Sequence, residues 1–321
     1  MPRRGRPAGK GSRVTELLSA ARAGAPALAA GRSPFRLDDD AAWRRWREDK
    51  LARYPASIDD LIVEVKDPRA PSRAERQALL QRCARANMAI YASPVRDADK
   101  GILRLLGAQL GLQRLDANWL ADEDGVSQVT VAAGGGRQHY IPYTNRPLNW
   151  HTDGYYNPAA RRIRAMLLHC VSPAATGGET MLMDHEIAYL LLRDHDPAQV
   201  AALLAPDAMT IPARTDEAGI ARAEETGPVF HVDPVDGSLH LRYTARTRSI
   251  AWRQDAVTLA AVGSLERLLA GGSPWVHRLR LAAGMGIVSN NVLHARTAFE
   301  DAPGSRRLLY RARYLDRIDG R

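Results

Sequence analysis

The spacing of apolar residues divides this chain in two. Up to about residue 110 they recur mostly at helical intervals. Trp43, Trp46, Leu51 and Tyr54 follow the acidic run Leu37-Asp38-Asp39-Asp40, which predicts a helix over Ala41–Tyr54 with its acids at the positive end and both tryptophans as core anchors. Ser72-Arg73-Ala74-Glu75 has the hydroxyl-x-x-carboxylate spacing of a capping box and predicts a helix running to about Ala86. A third helix is predicted over Lys100–Leu110, with short strands at Leu61–Val65 and Met88–Tyr91.

From about Val126 the apolar runs become short and are separated by Gly, Pro and Asp. Strands are predicted at Ser127–Val131, His139–Tyr143, Ile163–Val171, Glu179–Met183, Pro228–Val232, Ser238–Tyr243, Val276–Leu281, Gly286–Ser289 and Arg306–Leu315. Asp233-Pro234-Val235-Asp236-Gly237 is rich in turn formers and predicts a hairpin between two of them. Helical insertions over Glu186–Leu203 and Asp255–Ala270 interrupt the series. The fold class is therefore α+β and mainly β: a barrel or jelly roll with helices packed around it and a helical N-terminal region. No internal repeat is visible.

Composition narrows the class without changing it. A chain of 321 residues, 45% hydrophobic and 25% charged, can bury a full core. No apolar run approaches the roughly 18 residues of a membrane span. Two cysteines, Cys83 and Cys170, form no framework, which fits a reducing cytoplasm and suggests neither zinc nor a thiol nucleophile. The net charge of +9 is concentrated in residues 1–32, where seven arginines and lysines face the single acid Glu16. That segment reads as a solvated basic tail preceding one domain over 33–321. A nucleic-acid or ribosome contact through the tail is the alternative it raises, and homo-oligomerisation is left open.

Chemistry concentrates at Trp150-His151-Thr152-Asp153-Gly154-Tyr155-Tyr156-Asn157. Pro142 and Pro147 exclude a continuous helix just before it, so the stretch is read as extended. His151 and Asp153 then point to one side, as alternate residues of a strand do. An imidazole and a carboxylate in one space are two-thirds of the two-His, one-carboxylate set that holds non-haem Fe(II). The triplet alone is weak, since His231-Val232-Asp233 repeats it before Pro234 and reads as an ordinary turn. His139, His169, His185, His195, His240 and His277 lack partner patterns and read as ordinary core or surface histidines.

Four pieces, taken together, are specific: Trp-His-Thr-Asp at 150–153, Gly-Gly-Glu-Thr at 177–180, His-Ala-Arg at 294–296 and Arg-Leu-Leu-Tyr-Arg at 307–311. In order and spacing the chain resembles the Fe(II)- and 2-oxoglutarate-dependent oxygenases of the taurine dioxygenase and γ-butyrobetaine hydroxylase type, from roughly Ile141 to Tyr314. The resemblance implies a double-stranded β-helix (jelly-roll) core, and His151, Asp153 and His294 as iron ligands. Adjacent iron positions would remain for 2-oxoglutarate and O2. It puts the distal carboxylate of 2-oxoglutarate on Arg307, with Thr180 donating a hydrogen bond. Arginine suits that task because its planar fork meets a carboxylate with two parallel bonds.

Alternation puts Arg307, Arg311 and Arg313 on one side of a strand and leaves Arg306 as the fallback. The implied reaction is oxidative decarboxylation of 2-oxoglutarate to succinate and CO2, coupled to hydroxylation of a small organic substrate. Because Asp153 is present, oxygen insertion is expected rather than halogenation. Trp150, Tyr155, Tyr156, Asn157, Arg296 and Arg311 flank the ligands and are the substrate candidates. Arg246 and Arg248, in the basic run after Leu241, read as a solvated loop. Nothing marks a sulfonate or a trimethylammonium substrate.

Overall fold

A computed structural model describes residues 33–116, 124–134, 136–216, 219–246, 248, 250–270 and 272–319. The basic segment 1–32 lies outside them. The chain enters through helix α1 (Asp40–Arg53), capped by Asp39, whose carboxylate accepts from the Ala42 amide at 2.9 Å. Strand β1 (Ile62–Glu64) follows, then α2 (Arg73–Ala86), which starts at Ser72 with the anticipated capping box complete in both directions. β2 (Met88–Ala92), α3 (Gly101–Gln109) and β3 (Val126–Val129) complete the first third.

The β-rich part begins with β4 (Leu148–His151), β5 (Ala165–Ser172), β6 (Thr176–Gly177) and β7 (Thr180–Met183). Helices α4 (His185–His195) and α5 (Pro197–Leu204) come next. Short strands β8 (Met209–Ile211), β9 (Arg214–Asp216), β10 (Gly219–Arg222), β11 (Glu225–Gly227), β12 (Phe230–Val232), β13 (Leu239–Leu241) and β14 (Ala251–Trp252) lead to α6 (Ala256–Ala270). The chain closes with β15 (His277–Leu279), β16 (Met285–Ser289), β17 (Leu293–Arg296), β18 (Phe299–Glu300) and β19 (Leu308–Tyr314).

Two sheets carry the core. The larger has the order β1-β2-β16-β5-β19-β3 and the smaller β15-β7-β17-β4. Every pairing in them is antiparallel except β1 with β2. Both faces of the larger sheet are covered. Alternate residues Tyr91, Leu167, Val288 and Tyr310 pack outward with Leu79, Cys83, Leu103 and Leu106 of α2 and α3. Ile90, Cys170, Ile287 and Leu309 pack inward with Leu182 of the smaller sheet. This is why the strands read as near-continuous apolar runs; burying each such side chain stabilises by about 1.5–3 kcal/mol. A third cluster joins Trp43 to Tyr189, Phe230 and α6, so Trp43 is the core anchor its spacing suggested, with Trp46 stacked on it at 5.3 Å. Among the described residues no helix is long and apolar enough to cross a membrane.

Two expectations are corrected. Residues 139–143 are not a strand but sit in two 3-10 turns, Gly136–His139 and Ile141–Tyr143. Pro142 offers no amide to a ladder, and the Tyr143 amide closes onto Tyr140 O at 2.9 Å. The helix anticipated over Glu186–Leu203 is two helices, broken at Asp196. Asp196 is extended, as a residue before proline prefers, and its carboxylate caps α5 by accepting from the Ala198 amide. The hairpin around residues 233–237 forms as anticipated, joining β12 to β13. The strands β8–β11 and β14, each two to four residues long, are additions that no sequence pattern marked.

Candidate metal centre and active site

β4 and β17 lie side by side in the smaller sheet, with His151 directly opposite His294. Their rings stand 4.2 Å apart, centroid to centroid. β4 ends at His151; Thr152 is held by Tyr243, whose carbonyl accepts the Thr152 amide at 3.0 Å. Asp153 then turns into the same space before the chain reverses at Gly154, whose φ of +68° is a left-handed conformation. A Cβ at Gly154 would sit 2.4 Å from Ile163 Cγ1, so space and conformation both call for glycine. Candidate ligand atoms of His151, Asp153 and His294 all lie within 4.8 Å of one another, and all three residues are buried.

The donor set fits a divalent metal. Each histidine turns its Nδ1–H to a backbone carbonyl two residues earlier, His151 to Asn149 O at 2.8 Å and His294 to Val292 O at 2.9 Å. That leaves each Nε2 lone pair facing the shared space. Burial lowers the pKa of both rings, His151 to about 3, with the neighbouring His294 adding to the effect there. Both imidazoles are therefore neutral, as ligands must be. Burial works against the Asp153 carboxylate, but Arg311 first, then Arg313, outweigh it and hold its pKa well below the ordinary range. Asp153 Oδ1 accepts from Arg311 Nη1 at 3.2 Å, while the buried Oδ2 has no hydrogen-bond partner. Two neutral imidazoles and one carboxylate with a spare oxygen suit Fe(II).

A narrow cavity runs from His294 between the sheets. Thr180, Arg296, Arg307 and Arg311 contribute its polar lining, and Val129, Leu148, Met166, Leu168 and Leu309 much of its apolar lining. Arg307 is buried, its guanidinium lies 5.0 Å from the Phe299 ring, and its Nη1 has no hydrogen-bond partner. Arg306 is exposed and lines a separate, more open cleft with Asn145 and Asp301. Of the two adjacent arginines, only Arg307 shares the cavity of His294 and Thr180.

The flanking candidates divide. Tyr155 is buried with Arg246 over its ring, and Tyr156 accepts a hydrogen bond from Arg313 at 3.0 Å. Trp150 packs against the core that also holds Tyr155. Arg311 is bonded to Asp153 itself. Asn157 braces its own turn, donating to Arg161 O at 2.9 Å. Arg296 donates to the carbonyls of Thr144 (2.8 Å) and Arg146 (2.6 Å), pinning the segment that precedes β4. Burial, then repulsion from Arg307, pushes the Arg296 pKa down to about 9. His231-Val232-Asp233 is the start of a hairpin, and among the described residues only His151, Asp153 and His294 form a metal-type cluster.

Sequence reasoning missed Asn291. With φ of +53°, it accepts the Asp153 amide at 2.8 Å and donates to Asp153 O at 2.9 Å and Ile163 O at 2.8 Å. The available signal was the pair Asn290-Asn291 interrupting an apolar run just before His294.

Comparison with known proteins decides the family. The model of the taurine catabolism dioxygenase TauD, TfdA family matches residues 100–313. The chain belongs to the TauD/TfdA family. Its family is one of dioxygenases by that description, as the resemblance implied. Two relatives carry the name uridine-5'-phosphate dioxygenase. One, from Amycolatopsis sp, is 36% identical over 52% of this chain and 60% of its own length. The other, from Streptomyces sp, is 32% identical over 60% of this chain and 70% of its own. The match thus spans less than two-thirds of the first relative's length.

Solved TauD/TfdA-like folds agree in architecture. Asparagine oxygenase in complex with Fe(II), 2S,3S-3-hydroxyasparagine and succinate superposes with a TM-score of 0.55 at 19% identity, covering 90% of this chain and 87% of that one. The non-heme iron oxygenase OrfP in complex with Fe, succinate and (3S)-hydroxy-L-Arg gives 0.57 at 15% identity, covering 76% and 81%. Both bear out the jelly-roll class.

Proposed function

We propose that this dioxygenase hydroxylates a small phosphorylated nucleoside of the uridine 5'-phosphate kind, with His151, Asp153 and His294 as its iron ligands. Arg307 takes the distal carboxylate of 2-oxoglutarate and Thr180 donates to it. Bound there, iron with 2-oxoglutarate and O2 supplies the oxidant for inserting oxygen into a substrate C–H bond, with release of succinate and CO2. The chain's own contribution is positional. The Nδ1 hydrogen bonds fix both imidazole tautomers, Arg311 keeps Asp153 ionised, and the apolar walls exclude water from the cavity.

The observation that carries the cosubstrate assignment is Arg307: a buried guanidinium with a partnerless Nη1, in the cavity that also contains His294. Such a charge is costly without an anion, and a dicarboxylate reaching in from the metal supplies one. The nucleotide assignment is carried by the two uridine-5'-phosphate dioxygenases, which match more of the chain than any local motif. Two free, buried cysteines suit a reducing cytoplasm. Among the described residues no observation favours a nucleic-acid or ribosome partner.

The test is succinate release from purified protein with Fe(II), ascorbate and 2-oxoglutarate, with and without uridine 5'-phosphate. Stimulation by the nucleotide is expected, and His151→Ala should remove at least about 99% of turnover. Succinate release that the nucleotide fails to stimulate removes the substrate assignment alone. A wild type inert under every condition removes the iron-site assignment.

A further inference from the structure

Besides Arg311, which is bonded to Asp153, two buried guanidiniums line the cavity at His294, and the cosubstrate reading employs one of them, Arg307. Arg296 is the other. On the β7–β17 ladder it stands directly opposite Thr180, so both side chains leave the same face of the smaller sheet, as His294 does two residues earlier. Thr180, Arg296 and Arg307 all line that cavity, and all three are buried. One ring brings the two arginines together. The Arg296 guanidinium lies 4.8 Å from the Phe299 centroid and the Arg307 guanidinium 5.0 Å. The Gly177-Gly178 turn lets this part of the chain come close: a Cβ at Gly177 would meet Ala298 O at 2.2 Å, and the Gly178 amide donates to that same oxygen at 3.0 Å.

Both guanidiniums are left with an unused donor. The Nη atoms of Arg296 donate to the carbonyls of Pro142, Thr144 and Arg146, at 3.5, 2.8 and 2.6 Å, which fixes the plane of its fork. Its Nε is buried without a hydrogen-bond partner, and so is Arg307 Nη1. Among the described residues neither forms an ion pair. Asp301 offsets part of the Arg307 charge, but its carboxylate accepts the Arg307 amide at 2.9 Å. The charge felt at Arg296 is that of Arg307, and it repels. Two like charges with unused donors in one apolar-walled cavity call for an anion with several acceptor sites. A carboxylate offers about four lone-pair sites, enough for Arg307, Thr180 and one further N–H.

We propose that Arg296 is a second cosubstrate arginine, its Nε–H donating to the same distal carboxylate of 2-oxoglutarate that Arg307 and Thr180 hold. The assignment rests on the cosubstrate reading given above and adds to it a source of selectivity for a dicarboxylate. Arg296 supplies a charge-assisted bond whose direction the three carbonyls set in advance. A 2-oxo acid of the same length without the distal carboxylate leaves donors on both arginines buried and unpaired, so the site rejects it twice over.

Binding of 2-oxoglutarate and of 2-oxopentanoate, its analogue lacking the distal carboxylate, should be measured by calorimetry on the Fe(II)-loaded protein without O2. The wild type is expected to prefer 2-oxoglutarate by at least about 100-fold. Arg296→Gln should cut that preference about tenfold by weakening 2-oxoglutarate, leaving 2-oxopentanoate as it was. An Arg296 that only holds the segment before β4 would instead weaken both ligands alike on replacement. Arg296→Lys, the second route should the glutamine variant not fold, keeps a charge but loses the fork, and should reduce the preference about threefold. An unchanged preference in a folded variant, or an equal loss for both ligands, overturns the assignment. Arg307→Met separates it from the reading beneath. A preference that survives that change removes the cosubstrate site and Arg296 with it, whereas one lost in Arg307→Met but intact in Arg296→Gln removes Arg296 alone.

Discussion

Asn291 shows how the proposed metal ligand Asp153 is placed by a residue outside the ligand cluster. One side chain pairs with both the amide and the carbonyl of Asp153 and ties them to Ile163 O. Its left-handed φ is one that asparagine tolerates and glycine adopts freely, so Asn291→Gly removes the hydrogen bonds without adding backbone strain. Three buried backbone groups would then lack partners, costing about 1–3 kcal/mol each before relaxation. A drop in stability of about 3 kcal/mol by urea denaturation is expected, with Fe(II) affinity reduced about 10- to 100-fold. Unchanged metal affinity would show that Asp153 holds its place without Asn291. His151 and Asp153 were legible as a pair because alternation is a local property. His294 was legible only through the family resemblance, because the register that sets it against His151 joins distant points of the chain. Arg307 and Arg306 could not be separated by alternation alone; burial separates them.

At the scale of elements, a buried charge network docks α1 onto the start of α4. Lys50 reaches Asp184 at 2.7 Å and Glu186 at 2.6 Å, and all three are buried. Asp184 also accepts from Asn87, and Asn87 in turn from Asn290, the neighbour of the clamp on Asp153. Burial alone would raise the Glu186 pKa, but Lys50, then His185 and Arg317, bring it down to about 2. The sign follows: a depressed carboxyl stabilises the fold above its unfolded pKa of about 4.3, and that contribution is lost as pH falls toward 2. Lys50→Met strands two carboxylates and should cost about 3–5 kcal/mol at pH 7. The deficit against the wild type should shrink below about pH 4.3, where protonation relieves the mutant as it unpairs the wild type. A deficit of equal size in denaturant titrations at pH 7 and pH 3 would trace the loss to packing instead. None of this was visible in sequence, because Lys50 is one of several charged residues set among the apolar positions that mark this helix. The missed helix break at Asp196-Pro197 and the 3-10 turns around Pro142 have a different origin. There the apolar spacing was right, and a proline decided the backbone.

Across the whole molecule, the cavity between the two sheets holds a buried charge that costs stability unless an anion meets it. Arg307 is buried beside apolar walls, its Nη1 is unpaired, and burial lowers its pKa despite Asp301 and Cys170 nearby. Arg296 lines the same cavity and repels it. A methionine at 307 would keep most of the volume and remove the desolvated charge, as in buried ion sites where an apolar replacement is neutral or stabilising. Arg307→Met should therefore melt at the wild-type temperature or above it, while 2-oxoglutarate no longer raises that temperature. In the wild type, saturation at about 100 times the dissociation constant adds about 2.7 kcal/mol to the folded state. Differential scanning calorimetry of both proteins, with and without 2-oxoglutarate, reads the two effects separately. A variant that melts well below the wild type would make Arg307 a structural residue. One that keeps the full 2-oxoglutarate shift would move the cosubstrate carboxylate elsewhere, and Arg306 in its open cleft would be the next residue to replace.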